Sequence, residues 1–171
     1  MIFDGRWKWE LKKLSWSISV WCKLSVLEKF AEHQLNCAIL YSATILRKII
    51  EDEIEAEEIA KTAGYLLPKQ ETTHAILAAI KYPYIAEEGW SVRGVFRTGN
   101  YGPGESVSLK SKDVCNWIIH SCIWRLAQTS EWRGYSGFLV ASDFDREKYI
   151  YFISFTEWRG LIKLAVAHGA L

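Results

Sequence analysis

The sequence predicts a mainly α protein, an antiparallel helical bundle with an added C-terminal β-hairpin. Three observations predict it. Apolar residues recur at helical spacing over two long N-terminal stretches and again at about 109–127. Two short runs rich in aromatic and β-branched residues, "GYSGFLVASD" and "KYIYFISF", flank the polar turn "FDRE". No internal repeat, low-complexity tract or linker composition interrupts the 171 residues. That length suits one domain, 1–171, large enough to bury a real core. The expected layout is a bundle core at about 6–64 and 108–127, a variable insert at 65–107, and a hairpin plus final helix at 135–168.

The first helix is expected from Trp7 to about Phe30, on Trp9, Leu11, Leu14, Trp16, Ile18, Trp21, Leu24 and Leu27, with lysines largely between them. "EHQLN" (32–36) reads as a short connection, with Asn36 as N-cap of a second helix from Cys37 to about Ala63. The first half of that helix is apolar on almost every side, so it belongs in the centre of the packing. Its second half, "EDEIEAEEIAKTAG", reads as a solvated acidic face. Gly64 is a natural C-cap, with Pro68 beyond it.

In the insert, "THAILAAIKY" reads as a short helix ended by Pro83, "WSVRGVFRT" alternates like a strand, and "GNYGPGES" is the candidate exposed loop. Ser108 can cap the third helix, at about 109–127. After the hairpin, a cap at Thr156 precedes apolar residues at helical spacing: Trp158, Leu161, Ile162, Ala165 and Val166. Short connections predict antiparallel helix packing, and a two-stranded hairpin must lean on the bundle or on a partner chain.

Half of the residues are apolar and the net charge is +1, which excludes a disordered chain and gives no global nucleic-acid signature. Nine Trp, eight Tyr and seven Phe imply an aromatic-rich core, or an aromatic-lined groove or interface. Cys22, Cys37, Cys115 and Cys122 form no C-x-x-C pair, and the four histidines are scattered, so no metal site is expected. Free thiols in a reducing compartment are the plainer reading. The start "MIFDGRWKWELKK" puts an acid and aromatics where an apolar leader would begin, and no apolar run nears the roughly 20 residues that span a bilayer. The expectation is a cytoplasmic protein without membrane contact, metal or cofactor.

The candidate site lies on the third helix, in "CNWIIHSC". Val114, Cys115, Ile118, Ile119, Cys122, Ile123 and Leu126 supply a buried stripe. Asn116, His120 and Trp124 form a second stripe at four-residue spacing, extended by Lys112. A neutral imidazole offers one donor and one acceptor, and Asn satisfies either, so the pair can fix packing or sit at a subunit interface. Histidine is also the usual acid–base side chain near neutral pH, so catalysis by His120 with Asn116 stays open. Elsewhere, "RTGNYGPGES" lacks the G-K-[ST] ending of a P-loop. Arg93 and Arg97, with Trp90, Phe96 and Tyr101 nearby, could bind single-stranded nucleic acid, or stack on one another at a solvated edge.

"LKSKDVCNWIIHS", preceded by "YSATILRKIIEDE" and followed by "GFLVASDFDREKYIYFIS", resembles the HEPN-like helical-bundle proteins (higher eukaryote and prokaryote nucleotide-binding superfamily). By motif the resemblance covers about 38–55 and 108–155. In nuclease members an Arg, a polar residue and a His form an RNA-cleaving site, usually built by two subunits. The resemblance carries the His role to His120 and the polar role to Asn116. The Arg has no match, because Asn116, Cys115 and Val114 occupy the places four to six before His120. Lys112 cannot copy a bidentate guanidinium. Arg47, on the second helix, is the remaining candidate to hold phosphate. The expected function is a dimer-forming binding or interaction module of HEPN-like type, a homodimer with RNA or a nucleotide as possible ligand. The alternatives are a metal-independent ribonuclease of toxin or phage-defence type, with His120 and Asn116 catalytic and Lys112 and Arg47 on phosphate, and a small-molecule-binding protein with a Trp-lined pocket.

Overall fold

The computed structural model describes residues 6–24, 29–65, 72–83, 103–120, 124–128, 134–141 and 148–168. The elements run α1 (Arg6–Trp21), α2 (Lys29–Thr62), β1 (Ile76–Pro83), β2 (Glu105–Lys110), α3 (Ser111–His120), β3 (Trp124–Gln128), β4 (Tyr135–Val140), β5 (Tyr149–Ser154) and α4 (Phe155–His168). The strands form one five-stranded antiparallel sheet in the order β2-β1-β5-β4-β3.

The helical bundle with an added hairpin is therefore overturned. The hairpin expected at 135–154 exists as β4 and β5, but it is the inner part of a larger sheet, with β3 pairing along β4 and β1 along β5. The physical reason is edge pairing: a lone hairpin leaves two rows of unpaired backbone groups, and β1 and β3 satisfy them. Both of these strands come from stretches read as helix. "THAILAAIKY" has the alanines of a helix former, yet Leu77 and Ala79 are buried while Ile76 and Ala78 are exposed, a period of two. Pairing on both sides overrides intrinsic propensity here. The third helix is described from Ser111 to His120, and Trp124 and Leu126 belong to β3 rather than to a helical stripe.

α2 is longer than its sequence signal. Residues 32–36 are helical, and Asn36 caps nothing, because Ala31, Leu35, Ala38, Ile39, Ser42, Ala43, Leu46, Ile49 and Ile50 continue one buried stripe. Its C-terminus matches expectation. Gly64 has φ +77°, Gly64 N–H donates to the Lys61 carbonyl at 3.3 Å and Tyr65 N–H to the Ala60 carbonyl at 2.9 Å. Those are the two bonds of a Schellman cap. α4 starts two residues earlier than Thr156 implied: Ser154 Oγ accepts from Glu157 N–H at 3.2 Å, so "SFTE" is the capping sequence. Instead of closing back on Ser154, the Glu157 carboxylate accepts from Ala78 N–H at 3.1 Å and prolongs the edge of β1 beyond its pairing with β5.

Directly opposed residues of antiparallel strands share a face. Leu126, Phe138, Ile153, Tyr151, Val140, Ala79 and Leu77 lie on one face and join a single buried cluster with Leu11 and Ile18 of α1, the α2 stripe, Val114, Cys115 and Ile118 of α3, and Trp158 and Ile162 of α4. Trp158 is the central piece. It is fully buried, meets Phe138 edge-on at 5.6 Å, and donates its indole N–H to Ser42 Oγ of α2 at 3.0 Å. Gly137 of β4 must be glycine because a Cβ there would collide with the Ile153 carbonyl oxygen of the neighbouring strand. The acidic half of α2 is only partly a solvated face: Glu53 accepts from Thr73 N–H at 2.9 Å and Thr73 Oγ1 at 2.6 Å, tying α2 to the turn before β1. Ser111 holds the same turn from the start of α3, through Ser111 N–H to Ala75 O and Ser111 Oγ to Thr72 O, both 3.0 Å.

Candidate functional site

α3 presents Val114, Cys115 and Ile118 to the core, which leaves Lys112, Asn116 and His120 to follow one another along the neighbouring face. β2 runs straight into this helix, and Ser111 pins its first residue, so the rotation of α3 about its axis is set at its start. Across the seam, Leu46 and Ile50 of α2 point inward and Arg47 between them reaches the boundary, half-buried.

Arg47 is where the two helices meet in polar chemistry. Its Nε donates to Glu51 Oε1 at 2.8 Å, and its Nη1 lies 2.5 Å from His120 Nε2. A guanidinium has donors only, so Nε2 is the acceptor in this contact. His120 itself is exposed. Three of the five guanidinium N–H groups remain for an incoming acceptor after Glu51 and His120 have taken one each.

The other sequence candidates are placed less favourably. Asn116 does not bond His120 through its carbonyl: Oδ1 is buried without a hydrogen-bond partner. Such an orphan acceptor costs about 1–3 kcal/mol. Lys112 is exposed and lies eight residues before His120, about 12 Å along the helix axis, so it is not part of the pair. Trp124, read as the next member of the stripe, has left the helix. Arg93, Arg97, Trp90, Phe96 and Tyr101 lie outside the described residues, as do Cys122 and Ile123. Glu51 was not foreseen, although its four-residue spacing from Arg47 is the pattern of a helical ion pair. Cys115 was foreseen only as part of the buried stripe. Burial pushes its thiol up to about 12, and the nearby Arg47 charge pulls weakly the other way.

No group of three or more His, Cys, Asp or Glu is placed to hold a metal among the described residues. None of the described helices is long and apolar enough to cross a membrane.

Fold and site together define an α+β protein whose helices join one core with one face of an antiparallel sheet, carrying an arginine–imidazole contact at a helix–helix seam. No protein-family model, curated protein or solved structure matches the chain. The HEPN-like resemblance gains nothing from these comparisons, and the bundle it implied is not the architecture.

Proposed function

We propose that this chain is a cytoplasmic binding protein, acting as a homodimer, that takes a phosphate group of RNA or of a nucleotide at the α2–α3 seam. The observation that carries the reading is the Arg47–His120 contact. It brings a guanidinium, suited to bidentate phosphate recognition, beside an exposed imidazole. A phosphate oxygen competes with His120 for Arg47, and the imidazole released can then hydrogen-bond the same ligand. Exposed Phe30, Leu40 and Tyr41 on α2 supply apolar surface for a second copy.

The same contact favours one second reading, the metal-independent ribonuclease. Arg47 comes from another helix to the place where "CNWIIHSC" lacks an arginine. Once phosphate has drawn Arg47 away, His120 Nε2 is a free base for the 2′-hydroxyl.

Binding of a labelled RNA oligonucleotide, followed by anisotropy, tests the first reading. Arg47→Ala is expected to weaken it about tenfold or more, as loss of a charged hydrogen bond would. Unchanged affinity in Arg47→Ala and His120→Ala rejects the site. Cleavage in chelator by wild type but not by His120→Ala would favour the nuclease over the binding module. A strict monomer in light scattering at micromolar concentration rejects the dimer.

A further inference from the structure

A second surface carries a different observation. α1 buries Leu11, Ser15 and Ile18 and turns Trp9 and Trp16, 61% and 64% exposed, to the opposite side. Between α1 and α4 runs a groove of about 350 Å³. Trp16, Ile162 and Val166 line it with apolar surface, and Lys12, Arg159 and Lys163 ring it with positive charge. Among the described residues, no acidic side chain lines it. Arg159 Nε donates to Ser15 Oγ at 3.4 Å, a neutral partner. Among the described residues, none of the three cations pairs with a carboxylate.

We infer that the α1–α4 groove binds single-stranded nucleic acid, with Trp16 stacking on a base and Lys12, Arg159 and Lys163 on the phosphates. The choice of polymer rests on the RNA reading above, but the residues lie on other elements. Three cations around one groove, none of them paired with a carboxylate among the described residues, repel each other and call for a polyanion. An indole wall at the same groove calls for a flat π-face, and every base of a single strand supplies one. Trp9 stands seven residues before Trp16 on the same side of α1, about 10.5 Å along the axis. Lys13 Nζ sits 5.1 Å from its ring centroid, so a second platform is flanked by a cation. A free phosphate would use the ring of cations and leave the indoles idle. A duplex hides its base faces. A bilayer surface requires a broad apolar helix face, whereas the aliphatic residues Leu11 and Ile18 of α1 point into the core.

The test is a titration of the full chain with a fluorescein-labelled uridine oligonucleotide. Indole quenching and anisotropy are read together. Wild type is expected to bind with quenching. Trp16→Ala should weaken binding about fivefold or more, the loss of one stacked base. Lys12→Glu with Lys163→Glu should weaken it further and flatten the dependence on salt. All three positions are at the surface, and unchanged thermal melts confirm that the variants fold. Affinity equal to wild type in these variants overturns the inference. So does equal binding of inorganic polyphosphate, or binding of phosphatidylserine vesicles in place of the oligonucleotide. If Arg47→Ala abolishes binding while the groove variants keep it, the groove is wrong and the α2–α3 site stands. The reverse pattern rejects the α2–α3 site and keeps the groove. No binding of the oligonucleotide by wild type overturns the groove, and a mononucleotide titration then tests Arg47 alone.

Discussion

Cys115 and Arg47 face each other across the α2–α3 seam, and the thiol registers how dry that seam is. Burial outweighs the neighbouring guanidinium and lifts the thiol from 9.0 to about 12. The thiol is neutral while protonated. Between about pH 9 and 12 the unfolded chain therefore releases this proton and the folded chain keeps it. Its contribution to stability is complete below pH 9 and is lost as pH rises through that window. Urea unfolding over the alkaline range should show wild type losing stability more steeply than Cys115→Ala. Parallel slopes would reject the buried-thiol account. At this same scale the candidate site was half legible. The Arg47–Glu51 pair follows from four-residue spacing alone. The bond from Arg47 to His120 spans 73 positions and exists only because α3 docks on α2 at one rotation. No local pattern encodes that rotation, since the anchor is Ser111 on the turn at 72–75.

The stop signal at Gly64 was read correctly, whereas the caps read at Asn36, Ser108 and Thr156 fall inside a helix, inside a strand and two residues late, and elements whose state depends on neighbours were misread. Gly64 ends α2 as its sequence position implied, because only glycine takes φ +77° without strain. At the start of α4 the signal was present in "SFTE" but was read two residues late, at Thr156. Ser154→Ala should lower stability by about 1 kcal/mol, a fall of some 2–4 °C in Tm for a domain of this size. Circular dichroism melts measure it, and an unchanged Tm would show that the cap contributes nothing. β1 lacks such a signal. Its alanines suit a helix, and its strand state is imposed by β2 on one side and β5 on the other. β3 is the same case, held by β4 alone among the described strands.

For the whole molecule, Trp158 links the sheet and the helices within their shared core. Its ring packs on Phe138 of the sheet and its N–H closes on Ser42 of α2. Trp158→Ala is expected to cost about 3–5 kcal/mol, as large aromatic truncations in cores do. Ser42→Ala keeps the ring but leaves the indole N–H buried and unpaired, for about 1–3 kcal/mol. Denaturant unfolding of both variants gives the comparison, and a Trp158→Ala loss no larger than that of Ser42→Ala would contradict a core centred on this residue. By itself the sequence determined the long central helix, the β4–β5 hairpin, the cap at Gly64 and the inward stripe of Val114, Cys115 and Ile118. Each rests on periodicity or turn chemistry within about a dozen residues. Only the tertiary structure decided that the hairpin becomes a five-stranded sheet, that "THAILAAIKY" is a strand, and that Arg47 meets His120. Those outcomes depend on pairings between segments far apart in the chain, where edge satisfaction and burial outweigh the local preferences that a sequence displays.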